Sequence, residues 1–273
     1  MANGDSFQHR ARKRFGQNFL QDPHIIRRIV EALHPQAGDS LLEIGPGQGA
    51  LTSLLLASGA RVQAVELDRD LARYLNAQHH HASNFHLIQG DILKTDIAAL
   101  HSEGEPPLRV IGNLPYNIST PCIFHLLQSR EHIQDMLFML QREVVERLAA
   151  VPGEKNYGRL GIMAQYHCQI EHLFDVPPGA FHPAPKVTSA MVRLVPHATL
   201  PHPAEDHQML QRVVREAFSA RRKTLKNGLR PHMKETGVQE LPVDTSLRPE
   251  TLSVADYVRI SNVFSLHRSQ EHE

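Results

Sequence analysis

A strand, a glycine turn, a helix and a second strand are packed into residues 41–66, and this unit constrains the fold of the chain most. Leu41-Leu42-Glu43-Ile44 is short and apolar, Gly45 to Gly49 reads as a turn, Leu51 to Ala57 as a helix closed by Gly59, and Arg61 to Glu66 as the next strand. The alternation then continues. Asp68 to about Gln78 reads as a helix, Phe85 to Ile88 and Val110-Ile111 as strands, Cys122 to Leu127 as a helix, Met136 to Leu140 as a strand and Arg142 to Ala149 as a helix. Repeated β-α units predict a mostly parallel, Rossmann-like sheet with helices on both faces. Ahead of the repeats, Asp22-Pro23 reads as an N-cap and first-turn proline for a helix from Ile25 to Leu33. After them, Gln169 to Val176 and Ala190 to Val195 read as strands, the last pair forming an antiparallel edge. The proline-rich segment Pro196 to Pro203 reads as a linker. Beyond it the pattern is helical, over His207 to Phe218, over Lys223 to about Leu229, and from Val254 behind a Ser253/Asp256 capping box. The expected division is an α/β domain over 1–200 and a small helical domain over 201–273.

No apolar run approaches the roughly 18 residues that a membrane span needs, so no membrane partner is expected. Cys122 and Cys168 lie in apolar segments without Cys-x-x-Cys spacing, which argues against a disulfide framework and a zinc knuckle and points to a reducing cytoplasm. His79-His80-His81 lacks ligand spacing and reads as a solvated loop, so no metal is expected. Arg10, Arg12, Lys13 and Arg14 are not followed by the apolar stretch of a secretory signal. Net charge is zero over 273 residues, but its distribution is uneven. Between 212 and 230, Arg212, Arg215, Arg221, Arg222, Lys223, Lys226 and Arg230 face a single Glu216, a local charge of +6. Such a stripe suits phosphates, and equally suits a solvated surface.

The turn Gly45-Pro46-Gly47-Gln48-Gly49-Ala50 sits between a strand and a helix, where glycines let backbone approach a ligand. Its Gly45-x-Gly47-x-x-Ala50 spacing satisfies the dinucleotide fingerprint as well as a methyltransferase loop. Glu66, at the end of the next strand and 19 residues past Gly47, is placed to grip two ribose hydroxyls under either reading. Gly90-Asp91, ending the third strand, separates them. A carboxylate there can accept from a cofactor adenine amino group, so three successive loops would hold the methionine, ribose and adenine of S-adenosylmethionine.

The loop after the fourth strand carries Asn113-Leu114-Pro115-Tyr116, beside the sulfonium end of such a cofactor. These groups fit a substrate adenine. Its N6 is a poor nucleophile because the lone pair is delocalised into the ring. Asn113 Oδ1 and the Leu114 carbonyl could each accept one N6 proton, drawing the lone pair toward sp3 character and aiming it at an electrophile. Pro115 stiffens the turn, and Tyr116 offers a face on which a purine can stack. The same residues could form an ordinary strand-to-helix loop.

Together these motifs resemble the ribosomal RNA adenine N6-dimethyltransferase family, and within it the bacterial small-subunit branch. The likeness covers nearly the whole chain: Arg12 to Leu20, the glycine loop, Glu66-Leu67-Asp68, Gly90-Asp91, Gly112 to Thr120, Phe181 to Val187, and Arg221 to Leu225. It implies an S-adenosylmethionine-dependent enzyme of ribosome biogenesis. Its substrate would be two adjacent adenines in a hairpin loop near the 3′ end of small-subunit rRNA, within a pre-30S or 30S particle, each receiving two methyls. By the resemblance, the segment Gln17, Asn18 and Leu20 closes over the methionine end of the cofactor and Phe181 helps sandwich the target base; with an RNA substrate the basic stripe, Arg221, Arg222 and Lys223 within it, reads as the phosphate grip. The histidine tract at 79–81 and the histidine-containing C-terminal tail depart from the family pattern without touching a motif. Four rivals stay open: a non-catalytic assembly factor that keeps the fold, a nicotinamide dehydrogenase, a large-subunit rRNA methylase sharing the catalytic loops and, on the catalytic motif alone, a duplex DNA adenine methyltransferase.

Overall fold

The computed structural model describes residues 17–219 and 223–270, which group into two compact units. The first comprises the described chain up to Val145 together with Glu171–Pro196. The second comprises Glu146–Ile170 together with the chain from His197 onward, so the helical unit draws on residues before 200 as well as after.

In the first unit, β1 (Phe19–Leu20) precedes α1 (Pro23–Leu33), β2 (Ser40–Ile44), α2 (Thr52–Ala57), β3 (Arg61–Glu66), α3 (Arg69–His79) and β4 (Phe85–Gln89). Then come β5 (Leu108–Asn113), α4 (Ser119–Leu127), β6 (Ile133–Gln141) and the start of α5 (Arg142–Ala149). The chain re-enters the unit along β7 (Cys168–Val176) and continues through β8 (Phe181–His182) to β9 (Ser189–Pro196). Local chemistry accounts for these boundaries. Asp22 Oδ1 accepts from His24 N at 2.8 Å and Ile25 N at 3.3 Å, capping α1 ahead of its first-turn proline. Asp68 caps α3 by accepting from Asp70 N at 3.0 Å.

Seven strands form one sheet in the order β4-β3-β2-β5-β6-β9-β7. β2 to β6 run parallel, and β9 lies antiparallel to β6 with Phe138 opposite Val192. All five residues of β2 are buried, as expected for a strand covered on both faces. The chain winds outward from β2 to β4, then returns to lay β5 along the other side of β2. That reversal creates a crevice at the carboxyl ends of β2 and β5, where open α/β sheets bind ligands. One contiguous core, including Ile29, Leu33, Leu41, Leu55, Val62, Ile111, Leu137 and Met191, fixes α1 and α2 against the sheet.

A buried charge network ties the opposite end of the sheet. Arg109 of β5 donates twice to Asp135 of β6, at 2.8 and 2.9 Å, and to Asp39 at 2.9 Å. The same guanidinium reaches the last carbonyls of α1, Leu33 O at 2.6 Å and His34 O at 3.4 Å, where a cation complements the helix dipole. The Asp135 hydrogen bonds hold the Arg109 pKa above its ordinary value.

In the second unit, α6 (Arg159–His167), α7 (His207–Ser219), α8 (Leu225–Glu235) and α9 (Val254–Gln270) enclose Tyr157, Leu229, Tyr257 and Phe264. α9 starts at a reciprocal box, Ser253 N donating to Asp256 Oδ2 at 2.9 Å and Asp256 N to Ser253 Oγ at 3.1 Å. Among the described residues no helix is long and apolar enough to cross a membrane.

Removing one partner of a buried, hydrogen-bonded ion pair leaves the other charge uncompensated. Asp135→Ala is expected to destabilise the protein by about 3 kcal/mol, measured by urea unfolding; a change below about 1 kcal/mol, the range of exposed pairs, would mean that Asp39 and the helix carbonyls suffice for Arg109.

Candidate active site

The loops following β2, β3, β4 and β5 surround a cleft of about 200 Å3 at the sheet's reversal point. The first is the glycine loop. Gly45, Gly47 and Gly49 have φ values of +63°, +60° and +83°, a left-handed path that side chains with a Cβ disfavour. Gly45 N donates to Val65 O at 2.9 Å, anchoring the loop to the adjacent strand. Space matters as well as conformation. A Cβ on Gly47 would lie 3.2 Å from the Phe19 ring, and one on Gly49 would lie 2.9 Å from Leu75.

Three carboxylates line the cleft. Glu66, ending β3, accepts from Gly47 N at 3.1 Å through Oε2 and from Asp68 N at 2.8 Å through Oε1. These backbone donors orient it, while burial raises its pKa. Asp91 accepts from Leu93 N at 3.0 Å through Oδ1, a cap that presents the carboxylate at the cleft wall. Glu43 lies deeper, 1% exposed, and accepts from Thr52 Oγ1 at 2.7 Å. Burial, with a contribution from Glu66, pushes its pKa up to about 7. Among the described residues lining the cleft, Lys, Arg and His are absent.

Asn113 closes the remaining side. Its Nδ2 donates to the Asn18 carbonyl at 3.0 Å, and because a carbonyl can only accept, this contact assigns the amide orientation and turns Oδ1 away. No donor among the described residues reaches Asn113 Oδ1 or the Leu114 carbonyl. Leu114 N is held by Met139 O at 3.2 Å. The Tyr116 hydroxyl pairs with Ser189 Oγ at 3.0 Å, and the Tyr116 carbonyl accepts from Ser119 Oγ at 3.1 Å, so both ends of the residue are held.

Two distant segments are clipped together over this cleft. β1 pairs antiparallel with β8, Phe19 opposite His182 and Leu20 opposite Phe181, and Gln21 N donates to Ala180 O at 2.8 Å. Gln17 Nε2 donates to Asp68 Oδ2 at 3.2 Å. The ladder brings Asn18, Leu20 and Phe181 to the wall already formed by Gly45, Gly47, Glu66, Asp91, Asn113, Leu114 and Tyr116. Every residue the sequence suggests for cofactor and base thus lines one cleft.

The suggested RNA contacts divide differently. Arg221 and Arg222, like Arg10 to Arg14, lie outside the described residues. Lys223 is exposed just ahead of α8. Counting Arg212 in the basic stripe needs correction, because it is paired with Glu216 at 2.8 Å and Glu235 at 2.5 Å. Lys226, Arg230 and Lys234 recur at four-residue spacing on the exposed side of α8, opposite buried Leu225, Leu229 and His232. Lys234, Glu43 with Thr52, and Ser189 are the residues the sequence reading passed over. The spacing from Lys226 could have revealed the first; nothing local marks the others.

The sheet is Rossmann-like, and the cleft at its reversal point is a candidate cofactor site. The model of the ribosomal RNA adenine dimethylase family matches residues 8–266, and the chain belongs to that family. It is 60% identical over 260 residues to the ribosomal RNA small subunit methyltransferase A of Pseudomonas fluorescens, covering 94% of this chain and 95% of that protein. The crystal structure of a dimethyladenosine transferase from Plasmodium falciparum superposes with a TM-score of 0.74 at 25% identity, covering 92% of this chain and 98% of that one. The 23S rRNA methyltransferase ErmE shares the fold, with a TM-score of 0.68 at 23% identity over 91% of this chain and all of that one.

Gly47→Ala is expected to lose about 1–2 kcal/mol from the left-handed backbone alone, plus a packing cost against Phe19. Combining it with Phe19→Ala should give less destabilisation than the sum of the two single changes, by denaturant titration. Strict additivity would show that the ring and the glycine do not meet.

Proposed function

We propose that the cleft holds S-adenosylmethionine and that the chain directs methyl transfer to N6 of two adjacent adenines. These would lie in a hairpin loop near the 3′ end of small-subunit rRNA, within a pre-30S or 30S particle in the cytoplasm, and would become N6,N6-dimethyladenosines. The observation that carries this reading is the orientation of Asn113. With Nδ2 committed to Asn18 O at 3.0 Å, Oδ1 remains as an acceptor beside the Leu114 carbonyl. Two acceptors on adjacent residues, reached by no donor among the described residues, suit an amino group bearing two protons.

The donor set fits the cofactor. Glu66, steadied by two backbone N–H groups, retains lone pairs for ribose hydroxyls. Asp91 keeps Oδ2 for an adenine amino group, and Asn18, Leu20, Gly45 and Gly47 flank the methionine portion. The carboxylate-rich wall suits a cation. It weighs against a dinucleotide, whose pyrophosphate would meet Glu66 and Asp91 with no described cation beside them.

When bound, the cofactor supplies a sulfonium methyl, already an electrophile. The chain supplies position. Asn113 Oδ1 and the Leu114 carbonyl would bind the two N6 protons and direct the lone pair. Tyr116, its hydroxyl held by Ser189, and Phe181, held by the β1–β8 ladder, would stack on the flipped base. Transfer to a neutral amine moves positive charge without creating an anion, and the N6 proton can leave to solvent afterwards. Orientation of this kind contributes about 7–11 kcal/mol in well-aligned reactions. Adenine must leave its stack to reach the cleft, which favours an RNA loop over a duplex.

Asn113→Ala should lower kcat by roughly two orders of magnitude, the cost of about 1 Å of misplacement, with a much smaller loss of cofactor affinity from the released Asn18 contact. Single-turnover methyl incorporation into unmodified 30S particles, alongside calorimetric cofactor titration, separates the two; equal losses in both would contradict the orienting role. Reversing Lys223, Lys226 and Arg230 to Glu should flatten the log–log salt dependence of RNA binding by about 0.7–0.9 per lost phosphate contact. Arg212→Gln should leave that slope alone, since its charge is already paired.

A further inference from the structure

Glu43 is used by none of the steps above, yet it is among the residues lining the cleft while only 1% exposed. Its surroundings offer little to an anion. In register it lies between Ala64 of β3 and Ile111 of β5. From α2 it receives one neutral donor, Thr52 Oγ1 at 2.7 Å. The charged groups at the cleft end of the neighbouring elements are like-signed: Glu66 at the end of β3, Asp68 behind it, and Asp91 after β4, while the cations on the flanking strands are held by other partners, Arg61 of β3 by Glu105 and Arg109 of β5 by Asp135 and Asp39. No Lys, Arg or His is among the described residues lining the cleft. Desolvation and repulsion both favour the neutral acid under these conditions, and a fixed positive charge in the cleft reverses the preference.

We propose that Glu43 carries a proton while the cleft is without cofactor and releases it to solvent when S-adenosylmethionine binds, so that the sulfonium is met by a newly formed carboxylate. The inference rests on the cofactor reading above. The balance is simple: neutral Glu43 and the sulfonium go in, and a carboxylate–sulfonium pair and one proton come out. After methyl transfer the cofactor is an uncharged thioether at sulfur, and Glu43 takes a proton back. The residue would therefore discriminate the methylated cofactor from its demethylated product and favour the product's departure. It acts on affinity rather than on the reacting atoms, as a specificity-determining residue.

The sign follows from the position of the group. Its pKa of about 7 without cofactor would fall when a cation enters. Affinity for S-adenosylmethionine should thus rise with pH through 7 and level off above it, while affinity for S-adenosylhomocysteine changes less. Both ligands carry the same amino and carboxyl groups, so their difference isolates the sulfonium.

Isothermal titration calorimetry of the full chain, in buffers of differing ionisation enthalpy, reads the proton count directly. At pH 7 the wild-type protein should release about half a proton per S-adenosylmethionine more than per S-adenosylhomocysteine. Glu43→Gln, which mimics the neutral acid and can still accept from Thr52, should abolish the excess. Thr52→Val, which removes the one neutral donor, should move the midpoint of the proton release to higher pH and covers the case in which Glu43→Gln fails to fold. An equal excess in Glu43→Gln, no excess in the wild type, or an unmoved midpoint in Thr52→Val would overturn the inference while leaving the cofactor reading intact. Failure of the wild type to bind S-adenosylmethionine at any pH would overturn both.

Discussion

The pairing of β2 with β5 is the constraint on which the cleft depends. The chain winds away from β2 through β3 and β4, then returns to the vacant edge of β2, and the two halves must meet closely there. Gly112 makes this possible, because a Cβ at that position would lie 2.8 Å from the Ile44 carbonyl. Ile44 and Gly112 are register partners, so Gly45, the residue after β2, and Asn113, the last residue of β5, lie side by side at the sheet's edge. A glycine turn and an acceptor-bearing loop therefore share one crevice without any long-range device to bring them together.

What strand pairing does not provide is the outer wall, which is built from the two ends of the unit's sequence. Residues 17–20 and 180–182 are joined at the cleft by a short ladder and by the contacts of Gln21 N and Asp22 N to Ala180 O. That ladder is reinforced from the cleft side. Asn113 holds the Asn18 carbonyl, Gln17 holds Asp68, and the Phe19 ring rests where Gly47 has no side chain. The glycine loop thus has two tasks, making room for a ligand and making room for Phe19. One hydrogen bond from Asn113 likewise orients the amide and secures the strap. A substitution at either position is felt on both sides of the cleft.

The parts legible in the sequence are those set by neighbours in the chain. Asp22-Pro23, Ser253/Asp256 and the apolar β-α alternation announce their elements because caps and periodicity are local signals. β1 and β8 are two residues each and have no period to read; they exist only because each is the other's partner. α6 escapes for a different reason. Gly161 through Ala164, Tyr166 and His167 are all buried, so the helix lacks a polar face to mark its period. α8 continues to Glu235 past Pro231, where a stop at Leu229 is expected. Pro231 deprives the Asn227 carbonyl of its helical partner, but Asn227 is exposed and water can take its place. In the cleft, the cofactor and base residues are readable as motifs. Ser189 is not, because its role lies in a hydroxyl contact with Tyr116, 73 residues away.

The electrostatics of the cleft run against the stability of the fold that carries it. An acid whose pKa rises from its ordinary 4.5 to about 7 binds its proton more tightly in the folded state than in the unfolded one. Such a group costs nothing below pH 4.5, where both states are protonated, and costs progressively more as pH rises toward 7, where the unfolded state ionises first. Above pH 7 the penalty is fully developed, at about 3 kcal/mol for a shift of this size, a substantial share of a domain's usual margin. Burial of Glu66 adds in the same direction, partly offset by its two backbone donors. A leucine or glutamine at 43 would pack without that penalty. Keeping a carboxyl there leaves the folded protein with an unmet demand for positive charge inside the cleft, and a sulfonium is a ligand that can meet it. On the cofactor reading proposed above, that strain would be located where a cationic methyl donor relieves it and a neutral product does not.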